Sequence, residues 1–379
     1  MADYLRQLPQ GSADLARPPS AASRFHIDVP LLLLLMALTG FGLVVLYSAS
    51  GQNSAAVVRQ GQYFVIAFVV MIAAAQVSLE RYQRWAPWFY LLGVGLLVAV
   101  IFVGVGAKGA QRWLSLGGFR FQPSEILKLV VPMTVAWYLA PRILPPRFKY
   151  IAASLLIIAI PAALILRQPD LGTALLIAAS GLFVVFMAGI GWRYIFGAAI
   201  LAVASAWPAW MFVLKDYQKQ RILTLLNPES DKLGAGWNII QSKTAIGSGG
   251  WDGKGWMSGT QSQLDFLPES HTDFIIAVLA EEFGLRGVLV LLGLYVLILL
   301  RGFWIGLNAH SSYGRMLAGS LTLTFFVYIF VNMGMVAGLL PVVGVPLPLV
   351  SAGGTSVVTL MAGFGLLMAI STEKRIATH

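Results

Sequence analysis

The sequence has no cysteine, only four histidines, and charged residues at just 11% of its length. Without cysteine there is no disulfide framework, and the redox compartment cannot be inferred. The chain also lacks a metal-binding His/Cys/Asp spacing, a Walker loop, a dinucleotide fingerprint and a Ser-His-Asp order. These absences exclude an enzyme that draws energy from cytoplasmic nucleotides through a known fingerprint.

Long apolar runs dominate what is present, since 58% of the residues are hydrophobic. A hydrocarbon core of about 30 Å needs roughly 20 apolar residues of helix to cross it. Several runs reach that length, including 29–47 and 171–192. The pattern predicts an all-α polytopic membrane protein with ten transmembrane helices, at about 29–48, 61–79, 86–105, 124–141, 149–166, 171–190, 194–214, 272–300, 314–340 and 345–371.

The first apolar run is longer than the apolar core of a usual signal peptide, so we interpret it as an uncleaved first helix. Ten helices place both termini on one side of the membrane. With the termini inside, inner segments carry thirteen Arg and Lys residues and short outer loops carry five. The positive-inside rule therefore predicts cytoplasmic termini, and it accounts for the net charge of +10 better than nucleic-acid binding does.

The chain divides into a cytoplasmic tail, residues 1–27, and a single transmembrane domain, residues 28–379. The connection between the seventh and eighth predicted helices, residues 215–271, is much longer than the others. It begins with "DYQKQRILTLLNP", which is typical of an amphipathic surface helix, and it is not of low complexity. A long connection of this kind is usually functional, so we expect a folded lid on the outer membrane surface.

Acidic residues gather at the end of this loop, where Asp265, Glu269, His271 and Asp273 lie within nine residues. One interpretation is a helix start with Ser270 as N-cap and Asp273 at N3, where an anion suits the helix dipole. The other is a carboxylate held at the lipid–water boundary for acid–base chemistry. The pattern by itself leaves both open.

Two further groups of charges fall inside predicted helices. Glu125 and Lys128 are spaced i, i+3 on one face, as a buried structural ion pair or as the charged wall of an outward-facing cavity. Glu281 and Glu282 lie in the eighth predicted helix. At least one must face the interior, or the helix must break near "EEFGLRG", and Arg286 is a candidate partner.

Cations and aromatic residues line the outer connections. The segment "KGAQRW" places Arg112 and Trp113 just before the fourth helix, and Lys243 lies in the long loop. They could bind headgroups as part of an aromatic belt, or bind a diphosphate. Asp170, in "QPDLGT", suits a turn or a helix cap.

Prolines and glycines interrupt the last predicted helix in "VVGVPLPLVSAGGTS", and a broken helix is typical of backbone that lines a cavity. An enzyme of this composition would need a substrate that is already activated and linked to lipid. A polyprenyl-diphosphate sugar meets both demands.

The long motifs together resemble the SEDS family (shape, elongation, division and sporulation), and in particular its rod-shape-determining branch. The similarity covers the chain from about Phe25. The family normally has tyrosine where this chain has Ala352, which puts the role of that tyrosine in doubt here. The motifs that carry the resemblance are "GAQRWLSLGGFRFQPSEILKL", "QPDLGT", "NPESDKLGAGWNIIQSKTAIGSGG", "GTQSQLDFLPESHTDFIIAVLAEE" and "LPVVGVPLPLVSAGGTS".

The resemblance implies a peptidoglycan glycosyltransferase that polymerises lipid II in the bacterial inner membrane, with no organic cofactor and no nucleic acid. It implies that Asp273 is the essential carboxylate, a general base for the acceptor hydroxyl. It also implies help from a divalent cation, Mg²⁺ or Mn²⁺, and a partner, a class B penicillin-binding protein within the cell-elongation complex. Residues expected to bind the substrate or its diphosphate are Arg112, Trp113, Glu125, Lys128, Lys243, Asp265, Glu269 and Ser351.

Two other functions remain in view. A flippase that moves lipid II across the bilayer would place ionisable residues at the midplane. Here the acids outside the helices cluster on the outer loop instead, which favours the enzyme. A scaffold without catalysis would tolerate substitution of the site residues as long as the protein still assembled.

Overall fold

The computed structural model describes residues 26–107, 110–116, 119–231, 234–263, 267 and 269–373. These residues are mostly helical. In chain order the α-helices are α1 Val29–Ala49, α2 Ser54–Ala75, α3 Leu79–Val103, α4 Pro123–Leu139, α5 Phe148–Arg167, α6 Leu171–Met187, α7 Trp192–Pro208, α8 Asp216–Leu226, α9 Ala235–Gly249, α10 Thr260–Gln263, α11 Ile275–Asn308, α12 Ser312–Val336 and α13 Thr355–Ser371. A π-helical turn, Ala209–Val213, follows α7, and a 3₁₀ turn, Pro228–Ser230, follows α8.

In the described part of the chain, seven helices are long and apolar enough to cross a membrane: α1, α2, α3, α5, α7 with its π-helical extension, α11 and α12. The prediction of a multi-pass helical protein is therefore confirmed. The predicted spans at 124–141, 171–190 and 345–371 correspond to α4, α6 and α13, which have only 17 residues each. The last is short because residues 337–354, rich in glycine and proline, form no helix. The count of ten stays a prediction.

A small antiparallel sheet departs from the all-α expectation. Its strands are β1 Val105–Ala107, β2 Ala110–Leu116 and β3 Phe119–Phe121, in the order β1-β2-β3. The register pairs Leu114 with Phe121. The alternation of apolar and polar residues in "FRF" and the preceding Gly-Gly pair are hairpin signals, which the apolar helices on either side obscured.

The long loop folds onto the helical bundle. The amphipathic segment forms α8, as expected, and α9 packs against α11. Within α9 the buried Ser242 hydroxyl donates to the carbonyl of Val336, at the end of α12, over 2.9 Å. The described part of the loop is therefore a packed element of the fold. By contrast, every residue of α7 is at least partly exposed.

Helix α11 breaks at Gly284, and Glu281 and Glu282 are also buried, so both alternatives that the charge pattern left open are present. Gly284 has φ 63° and ψ −161°, a conformation essentially restricted to glycine. The loop after α9 supplies partners for the interrupted backbone, since the Leu285 amide donates to the Gly250 carbonyl and the Lys254 amide donates to the Glu281 carbonyl, each over 3.0 Å. The loop and the break therefore form one hydrogen-bonded unit.

The predicted partner at this break was wrong. Arg286 forms an exposed ion pair with Asp252, whereas the buried Glu281 carboxylate binds Lys254 over 2.7 Å. Glu281 also accepts from the Thr260 amide over 2.8 Å. The loop carries Lys254 to the carboxylate from 27 residues away in the sequence, and helical spacing could not reveal such a contact.

A second charged contact ties together three helix ends. Asp28 caps α1 through the Leu31 amide, over 3.1 Å, and accepts two hydrogen bonds from Arg301 of α11, over 3.0 and 2.7 Å. It also accepts from Ser371, at the end of α13, over 2.7 Å. Burial opposes ionisation of Asp28, but the hydrogen bonds from Arg301, Ser371 and Leu31 outweigh it and lower the pKa of the carboxyl.

Candidate active site

Asp273 lies in the turn that precedes α11, and it is half-buried. The predicted helix cap was wrong. Helix α11 begins at Ile275 with Phe274 as its N-cap, and Ser270 instead donates to the carbonyl of Ala49 over 3.0 Å. Because α1 holds Ser270 in this way, the turn continues to residue 274 and Asp273 stays outside the helix. The interpretation of Asp273 as an N3 residue therefore loses its geometric basis.

The non-helical stretch 337–354, called here the broken stretch, runs beside this turn. Gly344, with φ +74°, faces Asp273, and a Cβ added to it would lie 3.6 Å from Asp273 Oδ2. At the other end, the Ser351 hydroxyl donates to the Thr272 carbonyl and accepts from the Leu347 amide, over 2.5 and 2.9 Å. The broken stretch therefore forms a wall against the turn that carries Asp273.

Lys243 reaches the same stretch from α9. Its side chain is exposed and its ammonium group packs against Gly338, since a Cβ added there would lie 2.6 Å from Lys243 Nζ. The structure thus brings three of the predicted site residues, Asp273, Lys243 and Ser351, to one segment of backbone.

The sequence motifs did not mark Asn332, on α12, as part of the site. Its buried amide nitrogen donates to the carbonyls of Asp273 and Val345, over 2.9 and 2.8 Å. An amide inside an apolar helix needs partners, because lipid offers none. That polar residue in "FVNMGMV" was the available signal, although it could not identify the partners.

Glu125 and Lys128 form a second cluster at the start of α4. Lys128 Nζ lies 2.7 Å from Glu125 Oε1, so the i, i+3 pairing is confirmed. Lys128 also lies over the Tyr328 ring, 5.2 Å from its centroid. All three side chains line a small, mostly apolar cavity of about 40 Å³. The ion pair is therefore buried and also lines a cavity, and the outward opening of that cavity stays a prediction.

Arg112 contacts the turn that precedes α6. Its guanidinium donates to the Pro169 and Gln168 carbonyls and lies 3.5 Å from Asp170 Oδ2. Asp170 caps α6 by accepting from the Thr173 amide over 3.2 Å, so the cap interpretation is confirmed. The diphosphate role of Arg112, and of the half-buried Trp113 beside it on β2, stays a prediction.

One turn of α12 joins the two clusters. Tyr328 and Asn332 are spaced i, i+4, on one face of the helix and about 6 Å apart along its axis. The Val345 side chain packs with Tyr328 and Leu176 while its carbonyl accepts from Asn332. The backbone of Asp273 and the Glu125–Lys128 pair are therefore linked through neighbouring residues of α12.

Two further acids were predicted near Asp273. Glu269 Oε2 accepts from the Thr272 hydroxyl over 2.8 Å, in the same turn as Asp273. Asp265 lies outside the described residues. Among residues that are described, no group of three or more His, Asp or Glu side chains could hold a metal ion. Two carboxylates in one turn suit Mg²⁺ only when the substrate supplies further oxygens.

An apolar groove of about 350 Å³ lies between α6 and α12. Val343 and Val345, on either side of Gly344, line it together with Leu175 and Val331. A hydrocarbon chain in this groove would therefore have apolar walls close to Gly344, which faces Asp273.

Known proteins are similar to this chain in sequence and in fold. The FtsW/RodA/SpoVE family of cell cycle proteins matches residues 29–376. Peptidoglycan glycosyltransferase MrdB of Escherichia coli is 52% identical over 354 residues, which cover 93% of this chain and 95% of that protein. A probable peptidoglycan glycosyltransferase FtsW, of Trichlorobacter lovleyi, is 36% identical over 378 residues, covering 96% of this chain and 97% of that protein.

Solved structures of related proteins have a similar fold. A chain from a peptidoglycan synthase complex, described as coordinating polymerization and crosslinking, has a TM-score of 0.79 at 32% identity and covers 91% of this chain and 97% of that chain. The rod shape determining protein RodA of Thermus thermophilus has a TM-score of 0.68 at 29% identity, covering 91% and 96%. The chain therefore belongs to the FtsW/RodA/SpoVE family, the SEDS proteins, and is more similar to the rod-shape relative MrdB than to the FtsW chain compared above.

Proposed function

We propose that this protein is a peptidoglycan glycosyltransferase that polymerises lipid II into glycan strands during cell elongation. The observation that carries the proposal is the position of Asp273, a half-buried carboxylate outside the helix and beside the broken stretch that also contacts Lys243. Family membership and the glycosyltransferase names of the relatives support the same function. They do not favour a flippase.

In the proposed reaction, the acceptor 4-hydroxyl attacks the anomeric carbon of the donor sugar, and undecaprenyl diphosphate leaves. Asp273 takes the proton of the attacking hydroxyl as general base. Negative charge grows on the diphosphate, which calls for a cation nearby. Lys243 suits this role best, because its side chain is exposed on the same stretch, whereas Lys128 and Arg112 already contact Glu125 and Asp170.

The lipid part of the substrate has its own path in this proposal. The groove between α6 and α12 is lined by Val343 and Val345 and has apolar walls. An isoprenoid chain placed there would keep its diphosphate near Lys243 and its sugar near Asp273. Glu125, Trp113 and the other predicted site residues would then border the neighbouring space for the acceptor.

We further propose that the chain crosses the bacterial inner membrane ten times, with cytoplasmic termini and with residues 215–271 outside. In this topology the short helices α4, α6 and α13 also span, which their burial against other helices permits. The asymmetry of Arg and Lys in the connections supports this orientation.

A class B penicillin-binding protein is the proposed partner, since one similar chain comes from a peptidoglycan synthase complex. The proposed cation is Mg²⁺ or Mn²⁺, held jointly by Glu269 and the substrate diphosphate, where it would neutralise charge on the leaving group. The test removes divalent cations with a chelator and then adds Mg²⁺ back. If the polymerisation rate is the same before and after the addition, the cation has no part in the reaction.

The decisive experiment measures glycan-strand formation from lipid II by the purified protein and by Asp273→Asn. We expect the amide variant to lose about 10²–10⁴-fold in rate, because it cannot accept a proton. Asp252→Asn is the matched control, since Asp252 is an exposed acid of the same outer loop and its ion pair among the described residues is with Arg286 at the surface. A wild type that forms no strands, or an Asp273→Asn protein as active as the control, would overturn the proposal.

A further inference from the structure

Asn332 stands out among the buried polar groups, because one side-chain nitrogen joins two separate backbone segments. Its amide donates to the Asp273 carbonyl over 2.9 Å and to the Val345 carbonyl over 2.8 Å. The first acceptor belongs to the turn before α11, and the second belongs to the broken stretch. Since both acceptors are carbonyl oxygens, the amide must present its nitrogen to them, which settles its orientation.

We infer that Asn332 is the positioning residue for Asp273: its two hydrogen bonds set the distance between the Asp273 backbone and the wall of the broken stretch that the carboxylate faces. The inference rests on the proposed function, in which Asp273 is the general base. Asn332 itself does not touch the reacting atoms in this scheme and acts only through Asp273.

The surroundings of the Asn332 amide couple its position to two backbone segments. Asn332 is fully buried, and α12 holds it rigidly between Tyr328, one turn before it, and the end of the helix. Val345, its second acceptor, directly follows Gly344, where an added Cβ would lie 3.6 Å from Asp273 Oδ2. A shift of the Asn332 amide would therefore move both the backbone that carries the carboxylate and the backbone that faces it.

The chemistry of the side chain explains why another residue would not serve. Aspartate has the same shape as asparagine, but its carboxylate would repel both carbonyls. Alanine would leave two buried carbonyls without their donor. In either case the turn and the broken stretch would separate, and a displacement of about 1 Å from productive geometry can cost about 10²-fold in rate.

The test compares Asn332→Asp and Asn332→Ala with wild type in lipid II polymerisation, with kcat and KM determined separately. The control is Asn308→Ala, because Asn308 is exposed at the end of α11 and its amide bonds only within its own helix, to Trp304, in the described structure. We expect kcat to fall by about 10²-fold with KM within about threefold of wild type, and a lower melting temperature that still leaves both variants fully folded at the assay temperature. The control should match wild type.

Three outcomes would overturn the inference. Both variants could keep a wild-type kcat, KM could rise while kcat stays unchanged, or activity could fall only in parallel with the folded fraction. If neither variant folds, Gly344→Ala decides, because a side chain at φ +74° strains the broken stretch where it faces Asp273 Oδ2, without touching Asn332. A folded Gly344→Ala protein with normal kcat would then refute positional control of Asp273 by this wall. Strand formation by wild type in the same assay separates this failure from failure of the proposed function.

Discussion

The Glu125–Lys128 pair allows a quantitative test of the energetics inside the bundle. The two charged atoms are 2.7 Å apart, and the side chains are only 10% and 9% exposed. Glu125→Gln would leave an uncompensated ammonium group in an apolar cavity, and Lys128→Met would leave an uncompensated carboxylate. Removing one partner of a buried pair costs about 3–5 kcal/mol, whereas replacing both is often close to neutral.

We therefore expect each single variant to lose about 3–5 kcal/mol of unfolding free energy and the double variant to lose no more than either single one. The assay is reversible unfolding of the purified protein in mixed micelles titrated with SDS. The matched control is the exposed Asp252–Arg286 pair, with side chains 67% and 66% exposed. Screening by water should limit its coupling to about 0–1 kcal/mol. Additive losses at Glu125 and Lys128 would refute the pairing as an energetic unit.

Three further measurements test the topology and the fold. A Ser230→Cys protein should react with an impermeant thiol reagent in intact cells, and reaction only after lysis would refute an outer loop. Gly284→Ala should cost at least about 1–3 kcal/mol, because a Cβ would meet the Gly253 amide at 2.4 Å, whereas Gly293→Ala has free space and should be neutral or stabilising. Since the folded pKa of Asp28 is lowered, its stabilisation is complete above its ordinary pKa of 3.8 and is lost as the pH falls further. The stability difference between wild type and Asp28→Asn should therefore shrink below about pH 4, and a constant difference would contradict the lowered pKa.

Local features of the fold were open to prediction, because they depend on residues close together in the sequence. Spacing alone paired Glu125 with Lys128, and the turn chemistry of "QPDLGT" placed Asp170 as a cap. The charges of "EEFGLRG" required either an inward-facing acid or a break, and the structure has both, since Glu281 is buried and the helix breaks at Gly284. Each inference used a window of a few residues and one physical rule.

Long-range partners were not open to prediction in this way. Arg286 was the expected partner of the buried acids by spacing, yet the loop supplies Lys254 to Glu281. Ser270 was one candidate cap for α11, yet it donates to the carbonyl of Ala49, 221 residues away. In both cases a contact made by folding replaced the local one, and the free energy of that contact depends on packing that no spacing encodes.

The sequence by itself determined that this is a helical membrane protein with a large folded loop, because hydrophobic length and charge asymmetry act along the chain. It also marked Asp273 as a carboxylate of interest. Only the tertiary structure decided what surrounds that carboxylate. Asn332, 59 residues away, holds its backbone, and Gly344 faces its side chain. Such contacts arise when α12 and the broken stretch pack against the turn before α11, since buried polar groups must find partners among whatever the fold brings near.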